Sequence, residues 1–240
     1  LNDYMRNSSQ VSSLMREDVA LITLDDGKAN TLSHESIAAL REALSLAESE
    51  SRAVVLSGRP GFFCAGFDLK LARAGHEAMR GLVAAGADML MQILSFPQPV
   101  LMACTGHAMA MGAVMLLSAD VCIGAEGPFK IGLNEVSIGM PLPAFVVELA
   151  RSRLSPRHFF AATCNARIYD PIGAVQAGYL DRICSPEGVV DQTVAEAGNL
   201  GKILVPEALK ITKQYARSAI INSLRSTLSR GLSSFELFEG

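Results

Sequence analysis

The sequence predicts an α/β fold followed by an α-helical C-terminal part. Short apolar, β-branched runs alternate with helical periodicity through the first half of the chain, and after about Pro141 the helical pattern continues almost alone. The composition agrees. With 240 residues, 50% of them hydrophobic and 19% charged, the chain can fill a deep core or large contacts between copies and is not of a disordered type.

Taken in order, Val19–Leu24 is the first strong strand, and it ends at the turn signature Asp25-Asp26-Gly27, whose carboxylates are read as turn residues rather than a catalytic pair. Ser33 caps a helix that places Ile37, Leu40, Leu44 and Ala47 on one face. Ala53–Leu56 is a buried strand, leading into a loop over Ser57–Phe67 and a helix from Asp68. The succession then recurs, with Pro99–Cys104 as strand, Thr105–Ala110 as turn and a helix through Met115, Leu116 and Leu117. Val121–Ile123 and Phe129–Ile131 are further short strands. Asp170-Pro171 and Gly178 bracket one later helix, and Pro206 opens another. Met89–Ala119 carries no charged residue, which would suit a membrane span by length. Pro97, Pro99 and the polar Thr105-Gly106-His107 argue instead for a buried strand, a turn and a buried helix. The expected division is a flexible tail over 1–10, a catalytic core over 11–185 and a helical part over 186–240.

A net charge of −3 without a basic run leaves nothing to neutralise a phosphate polymer or an anionic lipid surface, so neither nucleic acid nor membrane insertion is expected. Cys64, Cys104, Cys122, Cys164 and Cys184 are odd in number and widely spaced, and read as reduced core thiols without zinc-ligand spacing. The polar start Leu1–Gln10 lacks the apolar core of a secretory signal, so an intracellular protein is expected, cytoplasmic if bacterial and mitochondrial or peroxisomal if eukaryotic.

Three segments after strands carry candidate chemistry. In Phe62–Leu69 and again in Thr105–Gly112, small residues precede a helix start, where main-chain N–H groups and the helix dipole favour negative charge. Two such segments facing one another could aim two N–H donors at one carbonyl oxygen. In Ile131–Pro141 the single carboxylate, Glu135, lies among apolar residues. It is either a solvent-facing loop residue or, if buried, a proton shuttle with a raised pKa. His34, His76, His107 and His158 show no partner pattern, and His107 is read as structural.

Together, Phe63-Cys-Ala-Gly-Phe-Asp-Leu69, Gly106-His-Ala-Met-Ala-Met-Gly112, Ser118-Ala-Asp120 and Ile131-Gly-Leu-Asn-Glu135 resemble, in order and spacing over roughly residues 15 to 235, the crotonase (enoyl-CoA hydratase/isomerase) superfamily. The resemblance implies a spiral of repeated ββα units with a helical oligomerisation part. It also implies a coenzyme A thioester substrate, no separate cofactor, no metal, and a homotrimer or hexamer. In such a fold the N–H groups of Ala65 and Met111 hold the thioester oxygen. Cys64, Gly66, Phe67, Asp68 and Asn134 also surround the substrate, and Lys28 and Lys70 approach the coenzyme A phosphates.

Hydratases of this family use two glutamates, because adding water needs an activated nucleophile and a proton donor. Here the first position falls on Val114 and the second on Glu135. Ile131–Glu135 and the bulky Gly139–Phe145 are similar to mitochondrial-type Δ3,Δ2-enoyl-CoA isomerases, with Val114, Met111, Met140 and Phe145 as candidate lining. The resemblance therefore implies isomerisation of 3-enoyl-CoA to 2-enoyl-CoA with Glu135 as the single shuttle. Two alternatives stay open: a hydratase or other crotonase-type acyl-CoA reaction, and a non-catalytic acyl-CoA-binding or assembly member. The second is motivated by Val114 and by Ala110-Met111, where the family commonly has a glycine pair. The apolar residues from Pro206 on, among them Leu209, Ile211, Ile220, Ile221, Leu224, Leu228, Leu232, Phe235, Leu237 and Phe238, exceed what one core-facing helix needs and support the expected oligomer.

Overall fold

The computed structural model describes residues 4–8, 10–68, 70 and 75–229. Among them a seven-stranded sheet runs in the order β1 (Tyr4–Asn7), β2 (Val11–Arg16), β3 (Val19–Leu24), β5 (Ala53–Gly58), β8 (Val100–Cys104), β10 (Val121–Ala125) and β12 (Arg182–Cys184). The first three strands form an antiparallel meander, and every later pair is parallel. Eight α-helices have described ranges: α1 (His34–Glu50), α2 (His76–Ser95), α3 (Met111–Ser118), α4 (Ala144–Arg153), α5 (Pro156–Thr163), α6 (Pro171–Ala177), α7 (Val189–Ile203) and α8 (Pro206–Ser229), with a 3-10 turn over Val136–Ile138.

Both faces of the central strands are covered, which is why their sequences read as unbroken apolar runs. Ala20, Ile22, Val54, Leu56, Val100 and Met102 belong to the main core, shared with Leu40 and Leu44 of α1 and Leu90 and Ile93 of α2. The alternate positions Val19, Leu21, Ala53, Val55, Leu101 and Ala103 meet α7 through Val194 and Ala197. Local signals set the helix ends as the sequence predicts. Ser33 and Ser36 form a reciprocal capping box on α1, and Asp170 accepts the Gly173 N–H at the start of α6, which closes on Gly178 at φ 102°.

Each crossover also leaves short strands in a second layer. β6 (Gly61–Cys64), β9 (Gly106–Met109) and β11 (Ile131–Gly132) form a parallel three-stranded sheet with β9 in the middle, and β4 (Thr31–Leu32) pairs with β7 (Gly66–Phe67). Ser57–Phe67 and Thr105–Ala110 are therefore not simply a loop and a turn. The strands in them are only two to four residues long and glycine-containing, too short for an alternating pattern to register. The third strand is Ile131–Gly132 rather than Phe129–Ile131. Met89–Ser95, read as the start of a strand–turn–helix run, is instead the last two turns of α2. That helix starts at Gly75 without a side-chain cap and carries Gly81 and Gly86, so it lacks the usual start signal. The helix expected from Asp68 lies mostly outside the described residues. No helix among the described residues is long and apolar enough to cross a membrane.

One further expectation is corrected. Cys64, Cys104 and Cys122 are buried, but Cys164 is exposed and Cys184 is partly exposed, because each sits where its element ends at the surface. In α8, Ile221 and Leu224 are buried against the core, whereas Ile211 and Tyr215 are exposed. Leu232, Phe235, Leu237 and Phe238 lie outside the described residues.

Candidate active site

The carboxyl ends of β6, β9 and β11 lie side by side, since Cys64 is in register with Ala108 and Met109 with Gly132. The three parallel strands therefore deliver Ala65, then Ala110 and Met111, then Leu133–Glu135 to one edge, the position at which open α/β folds bind ligands. Glycines allow the close approach. A Cβ on Gly112 would overlap the Cys64 carbonyl, and one on Gly66, which sits at φ +93°, would stand 3.4 Å from the Met111 nitrogen.

The two N–H groups singled out by the sequence are not equivalent. As the first residue of α3, Met111 has an N–H without an intrahelical acceptor. The Ala65 N–H is shared between the carbonyls of Ala29 and Asn30, at 3.2 Å each. Ala110 precedes Met111 at φ 51°, ψ −122°, a conformation natural to glycine and costing an alanine about 1–3 kcal/mol. The Ala110 N–H donates to Gly132 O at 3.0 Å and its carbonyl accepts the Val114 N–H at 3.0 Å, so both neighbours hold the strained turn. Met111 is 4% exposed. Its side chain turns toward Gly86 of α2, leaving its N–H at the helix start.

These segments surround a cavity of about 110 Å³. Ala65, Phe67, Met111, Asn134 and Glu135 line it, together with Val114, Met140 and Phe145, all four candidate lining residues thus being present. Glu135 is the one titratable side chain among the described lining residues. Its Oε2 is buried without a hydrogen-bond partner. Burial pushes the Glu135 carboxyl above its ordinary value, offset in part by the N–H groups of Glu135 and Asn134. Such a carboxylate in an apolar wall is a stronger base than an exposed one and can take up and release a proton.

Other sequence candidates lie around the cavity rather than in its lining. Cys64 is fully buried beneath it, with its thiol pushed up to about 12 by burial, so it is an inert packing residue. Gly66 serves the backbone approach. Asp68 accepts the Lys70 N–H at 2.8 Å, and Lys28 and Lys70 are exposed. His107 is held structurally, with its Nδ1 accepting the Lys130 N–H at 2.9 Å and its ring between Phe62 and Phe129.

The sequence reading passed over Asn30. It is fully buried at φ 57°, and its Nδ2 donates to Leu24 O at 2.8 Å and Phe62 O at 2.9 Å, tying the first turn to the strand that leads to Ala65. Burial opposes charge on Asp26, yet the N–H groups of Asn30, Thr31 and Lys28 hold its carboxyl below the usual range. The turn signature around Gly27 was the available sign of this arrangement. Met79 and Val83 of α2 also line the cavity and were not singled out by the sequence reading. Among the described residues no cluster of three or more His, Cys, Asp or Glu side chains is placed to hold a metal ion.

Residues 15–235 match the family model Enoyl-CoA hydratase/isomerase. The chain is 31% identical to enoyl-CoA delta isomerase 3 of Arabidopsis thaliana over 75% of its own length and 80% of the relative's. A solved enoyl-CoA hydratase/isomerase family protein from Pseudomonas syringae superposes with a TM-score of 0.90 at 41% identity, covering 93% of this chain and 96% of that one. A probable enoyl-CoA hydratase from Mycobacterium tuberculosis superposes with a TM-score of 0.91 at 33% identity, covering 96% and 98%. Relatives named as isomerases and relatives named as hydratases both occur, so their names do not choose the reaction. On the three loops, the fold and these similarities, the chain belongs to the enoyl-CoA hydratase/isomerase family of crotonase-type acyl-CoA enzymes.

Proposed function

We propose that this protein is a Δ3,Δ2-enoyl-CoA isomerase in which Glu135 is the only proton shuttle. The observation that carries the reading is the cavity wall: one half-buried carboxylate with an unpartnered oxygen, and Val114 where a hydration reaction would need a second acid or base. The C2 proton of a 3-enoyl thioester is acidified by the carbonyl and the adjacent double bond. Ionised Glu135 takes that proton, and the electron pair spreads over C2, C4 and the thioester oxygen. The same carboxyl then returns the proton to C4, leaving the double bond between C2 and C3.

The Met111 N–H and the α3 dipole stabilise the developing oxyanion, and the Ala65 N–H joins by giving up its two long carbonyl contacts. The apolar lining keeps water from the dienolate, which favours isomerisation over hydration. Exposed Lys28 and Lys70 pair with the coenzyme A phosphates, and their alanine variants should raise KM. Exposed Ile203, Val205, Ile211 and Tyr215 support assembly into a homotrimer or hexamer. Light scattering on active enzyme checks that extension, which a fully active monomer would remove.

The deciding experiment measures 3-enoyl-CoA isomerisation and 2-enoyl-CoA hydration on one preparation. Rapid isomerisation with very slow hydration is expected. Efficient hydration would reassign the reaction, and binding without turnover of either substrate would favour a non-catalytic member.

A further inference from the structure

Gly86 lies in the middle of a twenty-residue helix, where glycine is less favourable than alanine, and here a close contact takes the place of a side chain. The contact is with two cavity-lining residues. A Cβ on Gly86 would stand 2.7 Å from Phe67 Cζ and 3.1 Å from Met111 Cε, so the ring and the methyl both rest on the bare helix backbone. Phe67 and Met111 come from the two different oxyanion loops, and both line the cavity with Val83 of the same helix. A glycine under an aromatic ring and a thioether thus sets how far the wall on the α2 side retreats.

The room left is small. An enclosed apolar cavity of about 150 Å³ accepts a benzene ring, so the innermost space of about 110 Å³ takes only a few carbons before a chain meets this wall or turns toward the opening. From this packing, and resting on the isomerase reading above, we propose that Phe67 and Met111, seated on Gly86, form the wall that the acyl group meets and so favour short acyl chains. The protein is accordingly a short-chain enzyme. A longer chain has to displace the ring or the thioether from the Gly86 seat.

The test compares kcat/KM for 3-hexenoyl-, 3-octenoyl-, 3-decenoyl- and 3-dodecenoyl-CoA. Alongside it, calorimetry records the binding of butyryl- and decanoyl-CoA, which needs no turnover. The expected profile is highest at hexenoyl and falls about tenfold or more by decenoyl, with butyryl-CoA bound more tightly than decanoyl-CoA. Phe67→Ala should move the optimum to longer chains, and Gly86→Ala, which pushes both side chains into the cavity, should weaken even the hexenoyl substrate. Phe67→Leu gives a milder enlargement if Phe67→Ala melts early. A flat chain-length profile, or decanoyl-CoA bound as tightly as butyryl-CoA, would overturn the short-chain proposal and leave the isomerase reading standing. Tight, length-selective binding with no turnover of any 3-enoyl-CoA would do the reverse.

Discussion

Two partly covered carboxylates, Asp120 and Glu135, sit in opposite circumstances. Asp120 Oδ2 accepts the Val100 N–H at 2.7 Å and the Lys213 ammonium at 2.8 Å, while its Oδ1 accepts the Arg217 guanidinium at 2.8 Å. Lys213 also donates to Gln98 O, and Arg217 to Leu94 O and Ala119 O, so the cluster clamps α8 onto the end of the sheet. Glu135, by contrast, keeps one oxygen covered by apolar side chains and unpartnered. A carboxylate with both oxygens engaged by cations and N–H donors is part of the scaffold, and one whose oxygen is withheld from water and from partners is available for chemistry. The difference lies in the surroundings, since both are the same functional group.

The largest effect should come from Glu135→Gln. If Glu135 is the sole shuttle, turnover falls by more than the hundred- to ten-thousand-fold typical of one assisting group. Urea melts should show a stability equal to or above wild type, because the exchange removes a charge that burial disfavours. Near wild-type turnover in a folded variant would end the comparison on its catalytic side.

Asp120→Asn should behave in the opposite way. It leaves Lys213, only 7% exposed, and Arg217, 16% exposed, without their counter-charge, at a cost of about 3 kcal/mol in unfolding free energy. Activity per folded molecule should fall much less than in Glu135→Gln. Adding Lys213→Met should recover part of the stability, and a loss below about 1 kcal/mol would show that the cluster is not the clamp its geometry indicates.

The comparison sharpens with pH. In the proposed shuttle role Glu135 must be ionised to accept a proton, so kcat/KM should fall as pH drops through its raised pKa, at a pH above the ordinary value of 4.5. Stability runs the other way. Between the ordinary and raised values the folded protein still holds the Glu135 proton that the unfolded chain has lost, so this contribution is present at low pH and fades as pH rises. Glu135→Gln should therefore gain on wild type across that window, by at most about 1.4 kcal/mol per pH unit. Paired denaturation and rate profiles check both arms, and a stability difference independent of pH would contradict the assigned burial of Glu135.

What the sequence shows and hides follows the same division. Glu135 was legible by its place in Ile131–Glu135, but the same residues allowed a solvent-facing loop, and only the fold sets Met140, Phe145 and Val114 around it. Asp120 was visible within Ser118-Ala-Asp120, yet its partners come 93 and 97 residues later, a distance that no local pattern spans. Long strands and side-chain-capped helices could be read because propensity and burial agree along them. β6, β7 and β9 are too short for period two, and α2 has a glycine start, so the layer and the helix that complete the cavity were misread. The positive φ of Ala110 was equally hidden, since its residue type argues against that conformation.

The smallest effect is expected at a third carboxylate, Asp191, which meets Arg16 through contacts of 3.0 and 3.1 Å at one oxygen. By distance alone this pair rivals the Asp120 cluster. Yet Arg16 is 41% and Asp191 70% exposed, so water solvates both charges before and after the contact forms, and holding two mobile side chains in one geometry offsets much of what remains. Asp191→Asn should change the unfolding free energy by less than about 0.5 kcal/mol and leave turnover untouched. Added salt should erase the difference, because exposed charges are screened over a few ångströms whereas the Asp120 cluster is shielded by protein. If Asp191→Asn proved as damaging as Asp120→Asn, exposure would not be what separates a clamp from a surface contact, and the ranking of the three carboxylates would have to rest on contact length instead.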